Sequence, residues 1–263
     1  MANENIYKKV FPVIAFLVMM AVNILDNLLP INGFATGDLF DNYPSLITPA
    51  GYTFLIWTVI HILLFTYVVY LSELIGLKRK LASKISDFIR LLFILTCLCN
   101  IAWVFAWHFR YIALSLVLII TILVCLSLIN KYVYSEELSF SEKIFVRLPF
   151  GIYFGWITVV TVVNTSVLLK SISWSGFGIS ARLWTSIAAL IIFIIASVNT
   201  LKNKSLAYAA AVIWAYVGII VKHTSRDAFN YQYPEIVILI IICILFLLIE
   251  MGYIIVKRKK YGF

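Results

Sequence analysis

Apolar residues run along this chain in stretches of about 20, the length an α-helix needs to cross a hydrocarbon core. Polar positions gather between the stretches instead of alternating within them. Eight stretches stand out, at 9–29, 52–75, 88–108, 111–131, 147–169, 182–200, 206–222 and 235–256. The seventh, LAYAAAVIWAYVGIIVK, is short, so seven spans is the alternative count. The connections are brief. The pattern predicts an all-α fold: a polytopic integral membrane helix bundle of about eight transmembrane helices, with residues 1–263 forming a single membrane domain.

The connections carry their own signals. The sizeable outer one, INGFATGDLFDNYPSLITPAG, holds Gly33, Gly37, Pro44 and Pro49, two aspartates and no basic residue, and reads as a lid or a connector. In YSEELSFSEK, serines precede glutamates at capping spacing, which predicts a helix starting near residue 140. The first span runs into NILDNLLP without a small-residue cleavage site, so it reads as retained and not as a signal peptide.

Composition agrees. The chain is 63% hydrophobic and 13% charged, with a mean hydropathy of +1.02, about half the charge of a soluble domain. The net charge of +9 sorts by side. With the N-terminus inside, 16 of the 21 basic residues fall on the inner side, and Arg110, Lys170, Arg182, Lys222 and Arg226 remain outside. That asymmetry predicts cytoplasmic N- and C-termini and an even number of spans; the expected location is a bacterial cell membrane. The basic excess is therefore an orientation signal in contact with membrane lipids, and no nucleic acid partner is expected. Cys97, Cys99, Cys125 and Cys243 all lie inside spans and read as small, buried and inert.

Three spans place polar or aromatic groups where leucine would suffice. The second begins TPAGYTFLIWTVIH, the third contains NIAWVFAWHF, and the fifth reads LPFGIYFGWITVVTVVNTSVLL. At the helical rise, Trp57 lies roughly 8 Å, His61 roughly 14 Å, Asn100 about 12 Å, Trp103 about 8 Å, Asn164 roughly 8 Å and Trp156 roughly 20 Å below the outer ends of their spans. Singly, each has an ordinary reading. A Trp near an interface, such as Trp103, Trp107 or Trp184, anchors the helix. A membrane Asn makes one interhelical hydrogen bond. A lone histidine is packed. Together they predict a cavity walled by aromatic rings with a few polar groups, suited to a planar apolar ligand. Asn100 is expected to face the bundle interior, because an amide in lipid without a partner costs a few kcal/mol.

At these stretches the chain resembles the TspO/MBR family of tryptophan-rich sensory or translocator proteins. Pro49, Trp57 and Thr58 match the Pro-rich opening of its second helix, with His61 where the family usually has Tyr. Asn100 and Trp103 match its Asn-x-x-Trp. Trp156 and Asn164 keep its eight-residue interval, while Pro149 stands three residues early, and a single Pro49 replaces a double proline. The likeness covers residues 9–170 as a five-helix part, and residues 171–263 add about three spans. It implies a hydrophobic small molecule bound at Pro49, Trp57, Thr58, His61, Asn100, Trp103, Trp156 and Asn164, with no covalent cofactor, a porphyrin or haem-type tetrapyrrole or a sterol-like lipid as ligand, a sensory or stress-regulatory role, and room for a homodimer.

The alternative is a small-molecule secondary transporter using Asp26, Asn100 and His61, although few carboxylates lie mid-membrane to couple ions. Nothing argues for an enzyme. HExxH, GxSxG and a phosphate loop are all missing, so no catalytic and no metal-ligating residue is assigned. HTSRD at 223–227 reads as a solvated outer loop. Leu248, Tyr253 and Lys257 fit a sterol-type pattern but read as an interfacial tyrosine above a basic anchor.

Overall fold

The computed structural model describes residues 6–29, 45–72 and 83–261, together with Asn32, Tyr43 and Leu81. Gly33, Gly37 and Pro44 of the connection after the first span, and residues 73–80 of the connection after the second, lie outside the described residues. Eight helices among those described are long and apolar enough to cross a membrane. They are α1 (Ile6–Leu28), α2 (Ile56–Leu71), α3 (Ser83–His108), α4 (Ile112–Ser135), α5 (Phe140–Ser171), α6 (Ala181–Asn203), α7 (Leu206–Thr224) and α8 (Pro234–Tyr261). The short seventh stretch is thus a span.

α5 is central. It packs against α2, α4, α6 and α7, while α1 packs on α3 and α8 covers α6 and α7. The Ala-rich sequence of α7 follows from its place. Ala209, Ala211 and Ala215 are buried, and small residues let helices approach where lipid supplies no hydrophobic drive between them. The approach is close at Gly155 of α5, where a Cβ would lie 2.5 Å from the carbonyl oxygen of Tyr208. Beside it, the hydroxyls of Thr158 and Tyr208 share a hydrogen bond of 2.8 Å.

α5 starts where its serines predict. Ser139 is the N-cap, and Glu142 closes a capping box with it. Glu142 is fully buried and also accepts from Tyr70 Oη (3.0 Å) and Leu81 N (2.9 Å), so one carboxylate ties three segments together. A π turn over Lys143–Arg147 follows. Pro149 explains it: proline has no N–H to donate, and its ring would clash with the carbonyl four residues back unless the turn widened.

The second span does not begin as a regular helix. Gly51–Leu55 form a 3-10 turn before α2, and the residues leading into it are fastened to α7. His223 Nε2 meets the Leu46 carbonyl at 2.8 Å, Ala50 N donates to Gly218 O at 3.0 Å, and Trp214 Nε1 donates to Thr53 O at 2.9 Å. A Cβ on Gly218 would stand 2.0 Å from Thr53 Oγ1, so only glycine lets the turn seat. This corrects the reading of HTSRD: His223 is fully buried in the last turn of α7, because the Leu46 carbonyl needs a donor there.

Candidate ligand-binding site

The 3-10 turn delivers Phe54 and Trp57 onto the inner faces of α3 and α5. Trp57 lies at the centre of an aromatic cluster. Its ring is 5.8 Å from His61 and stacked on it, 6.4 Å from Trp103, 5.8 Å from Tyr153 and 6.4 Å from Trp156. Trp103 stacks in turn on Trp107 at 5.8 Å, one turn further along α3, and Phe54 meets Trp156 edge-on at 5.6 Å. Four of the residues singled out in the sequence, Trp57, His61, Trp103 and Trp156, are therefore neighbours. Phe54, Trp107 and Tyr153 complete the cluster. Tyr153 was within reach of the sequence, since it lies three residues before Trp156 on the same helical face.

The cluster is apolar in bulk and polar at its edges. Trp103 Nε1, Trp156 Nε1, His61 Nε2, Tyr153 Oη and Asn100 Nδ2 are all buried, and none has a hydrogen-bond partner. Asn100 lies beside Tyr153, yet the two side chains do not meet with hydrogen-bond geometry. Such groups in an apolar interior each cost about 1–3 kcal/mol unless something satisfies them. Asn100 is fully buried, as expected, and its Oδ1 accepts from Asn23 Nδ2 of α1 at 2.8 Å.

Three other candidates lie elsewhere. Thr58 points away from the bundle and is exposed. Pro49 is buried in the segment fastened to α7. Asn164 is fully buried, but its Oδ1 accepts from Ser115 Oγ of α4 at 3.1 Å, on the seam between α4 and α5. Eight residues carry it about 12 Å along the helix from Trp156, too far to join that ring cluster.

A second feature was not foreseen. A groove of about 450 Å³ opens between α5 and α6, with Leu46, Leu169, Trp174, Trp184 and Ile191 on its walls. Trp184 donates to Gly176 O at 2.9 Å and packs on Trp174 at 5.1 Å, so it is part of a structured wall and not only a belt residue. Thr165 faces this groove nine residues after Trp156, about two and a half turns, which puts the groove and the aromatic cluster on opposite faces of α5. The sequence signal was the pairing of Trp174 and Trp184 around Gly176 and Gly178, both of which take positive φ.

Residues 9–253, which take in parts of all eight spans, match a family model described as TSPO-like protein. No curated protein and no solved structure matches the chain.

Proposed function

The chain belongs to the TSPO-like family, and from that premise we propose that it binds a flat hydrophobic small molecule, a tetrapyrrole or sterol-like compound, within its spans and serves a sensory or stress-regulatory role. The observation that carries this reading is the set of five unpartnered buried polar atoms around Trp57. Indole faces supply walls for a planar ring system. The indole N–H groups of Trp103 and Trp156 and the amide of Asn100 supply donors for its polar edge, and His61 Nε2 offers a donor or acceptor at the same rim. These groups suit carboxyl or carbonyl acceptors on a planar ligand. The rings touch one another, so the ligand enters by displacing Trp57, the half-buried member of the cluster. Both termini are cytoplasmic in this reading, which reporter fusions at Ser205 and at the C-terminus test.

The binding test is titration of the purified protein with protoporphyrin IX, read by porphyrin absorbance so that removing a tryptophan does not remove the reporter. The wild type binds saturably. Trp57→Leu and Trp156→Leu each weaken binding about tenfold, while Trp184→Leu, on the opposite face of α5, binds as the wild type does. A fluorescent sterol titrated in parallel separates the two ligand classes. If neither compound binds the wild type, or if Trp184→Leu alone loses binding, this site is not the ligand site.

A further inference from the structure

A second cavity lies away from the aromatic cluster and shares no residue with it. It measures about 790 Å³ and opens at the basic end of the bundle, where α4, α6 and α8 finish and α5 and α7 begin. Six cationic side chains line it, Lys131, Lys143, Arg147, Lys202, Lys204 and Arg258, and among the described residues no carboxylate does. Orientation of the chain in a bilayer requires basic residues at this end, but it does not require that they converge on one concavity from four helices and the turn at Lys204.

Several of the groups are held in place. Arg147 lies over the Tyr134 ring, 4.5 Å from its centroid, and reaches the Val133 carbonyl at 3.4 Å. Its Nε is buried and has no hydrogen-bond partner. Tyr134 Oη donates to Ser205 Oγ at 2.5 Å, which fixes the ring against the start of α7. Arg258 Nη2 donates to the Lys204 carbonyl at 2.6 Å. Arg147 and Arg258 are close enough to repel each other. Leu206 and Ala207, the first two residues of α7, form part of the wall, so the positive end of a 19-residue helix opens into the same space. Like charges gathered in a partly dry cavity destabilise it unless an anion neutralises them.

We propose that this cavity binds a phosphate-bearing anion. Phosphate fits better than a simple carboxylate. It carries up to two charges and three acceptor oxygens, and it accepts both the guanidinium fork and point-like ammonium groups. A helix N-terminus adds backbone donors. The cavity opens where membrane-length helices end, and a phospholipid headgroup and a soluble phosphate compound present the same chemistry to it. The site uses α6, α7 and α8, is separate from the aromatic cluster, and does not depend on what that cluster binds.

The test uses the full chain in phosphatidylcholine nanodiscs, with thermal unfolding as the readout. One arm adds inorganic pyrophosphate; the other replaces part of the phosphatidylcholine with phosphatidylglycerol. At least one arm raises Tm saturably in the wild type. Stabilisation by the lipid alone identifies a headgroup site, and stabilisation by pyrophosphate identifies a site open to soluble phosphates. Lys131→Gln with Lys202→Gln, two exposed side chains whose loss leaves the fold intact, raises the half-saturating concentration about tenfold or more. Arg258→Gln acts in the same direction. Lys8→Gln with Lys257→Gln removes equal charge at the same end outside the cavity and leaves the response unchanged. The proposal is overturned if neither arm stabilises the wild type, if the cavity variants respond as the wild type does, or if the control pair loses as much as they do.

Discussion

His108 Nε2 of α3 stands 2.7 Å from Asp26 Oδ1 of α1, and both side chains are buried near the C-terminal ends of their helices. His108 Nδ1 meets the Val104 carbonyl at 2.8 Å, so the imidazole is held at both ring nitrogens, and Asn32 Nδ2 donates to the His108 backbone carbonyl at 3.0 Å. The sequence shows Asp26 closing one span and His108 closing another, but not that they meet. The pair joins α1 to the rest of the bundle at one end, as Lys8, Asp87 and Arg90 do at the other, with Lys8–Asp87 at 2.5 Å and Arg90–Asp87 at 2.9 Å.

A double-mutant cycle with Asp26→Asn and His108→Gln is therefore expected to give a coupling energy of roughly 1–3 kcal/mol, measured by thermal unfolding in detergent. Additive effects would mean that the two side chains contribute independently.

Two glycines are expected to resist the smallest possible change. Gly155→Ala and Gly218→Ala each push a methyl group into a neighbouring element and should cost about 1–3 kcal/mol. Gly51→Ala is the control, since a Cβ there meets nothing within 4 Å. Unfolding midpoints of the three variants decide it: a Gly218→Ala protein as stable as Gly51→Ala would contradict the seating of the 3-10 turn on α7.

His223→Phe keeps a ring in the packing against Phe229 and Tyr233 and removes only the hydrogen bond to Leu46. Amide exchange followed by mass spectrometry should then rise in residues 45–55 and stay unchanged in α4. Uniform protection across both would show that the bond to Leu46 does not hold the segment.

Ser139→Ala removes the N-cap acceptor of α5 and should cost about 1 kcal/mol. Glu142→Ala should cost more, because Tyr70 and Leu81 lose their acceptor as well. Equal losses in the two variants would reduce Glu142 to an ordinary capping residue.

The eight spans were legible because burying a backbone in lipid demands long apolar runs, and that demand writes itself locally. The start of α5 was legible for the same reason, since Ser139 and Glu142 are three residues apart. Asn100 could be placed inside from its desolvation cost alone, although its partner Asn23 could not be named. What the sequence hid is set by distant contacts. The 3-10 turn before α2 exists because Trp214 and Gly218 receive it, and His223 becomes a core residue because Leu46 needs a donor. Asn164 shares a helix with Trp156, but the eight residues between them put it about 12 Å further along, where it meets Ser115 instead of the rings. Trp184 fits an interfacial anchor by position, and only the fold shows that it walls a groove.

The bond from Trp214 to the Thr53 carbonyl spans 161 residues. It sets an order of events during biosynthesis. When the second span leaves the ribosome, the helix that seats its first turn has not yet been made, so Phe54 and Trp57 wait through the insertion of four more spans before α7 arrives. The aromatic cluster is thus among the last parts of the molecule to be completed, and a chain halted before residue 206 would carry every tryptophan of the cluster without the helix that holds them in register.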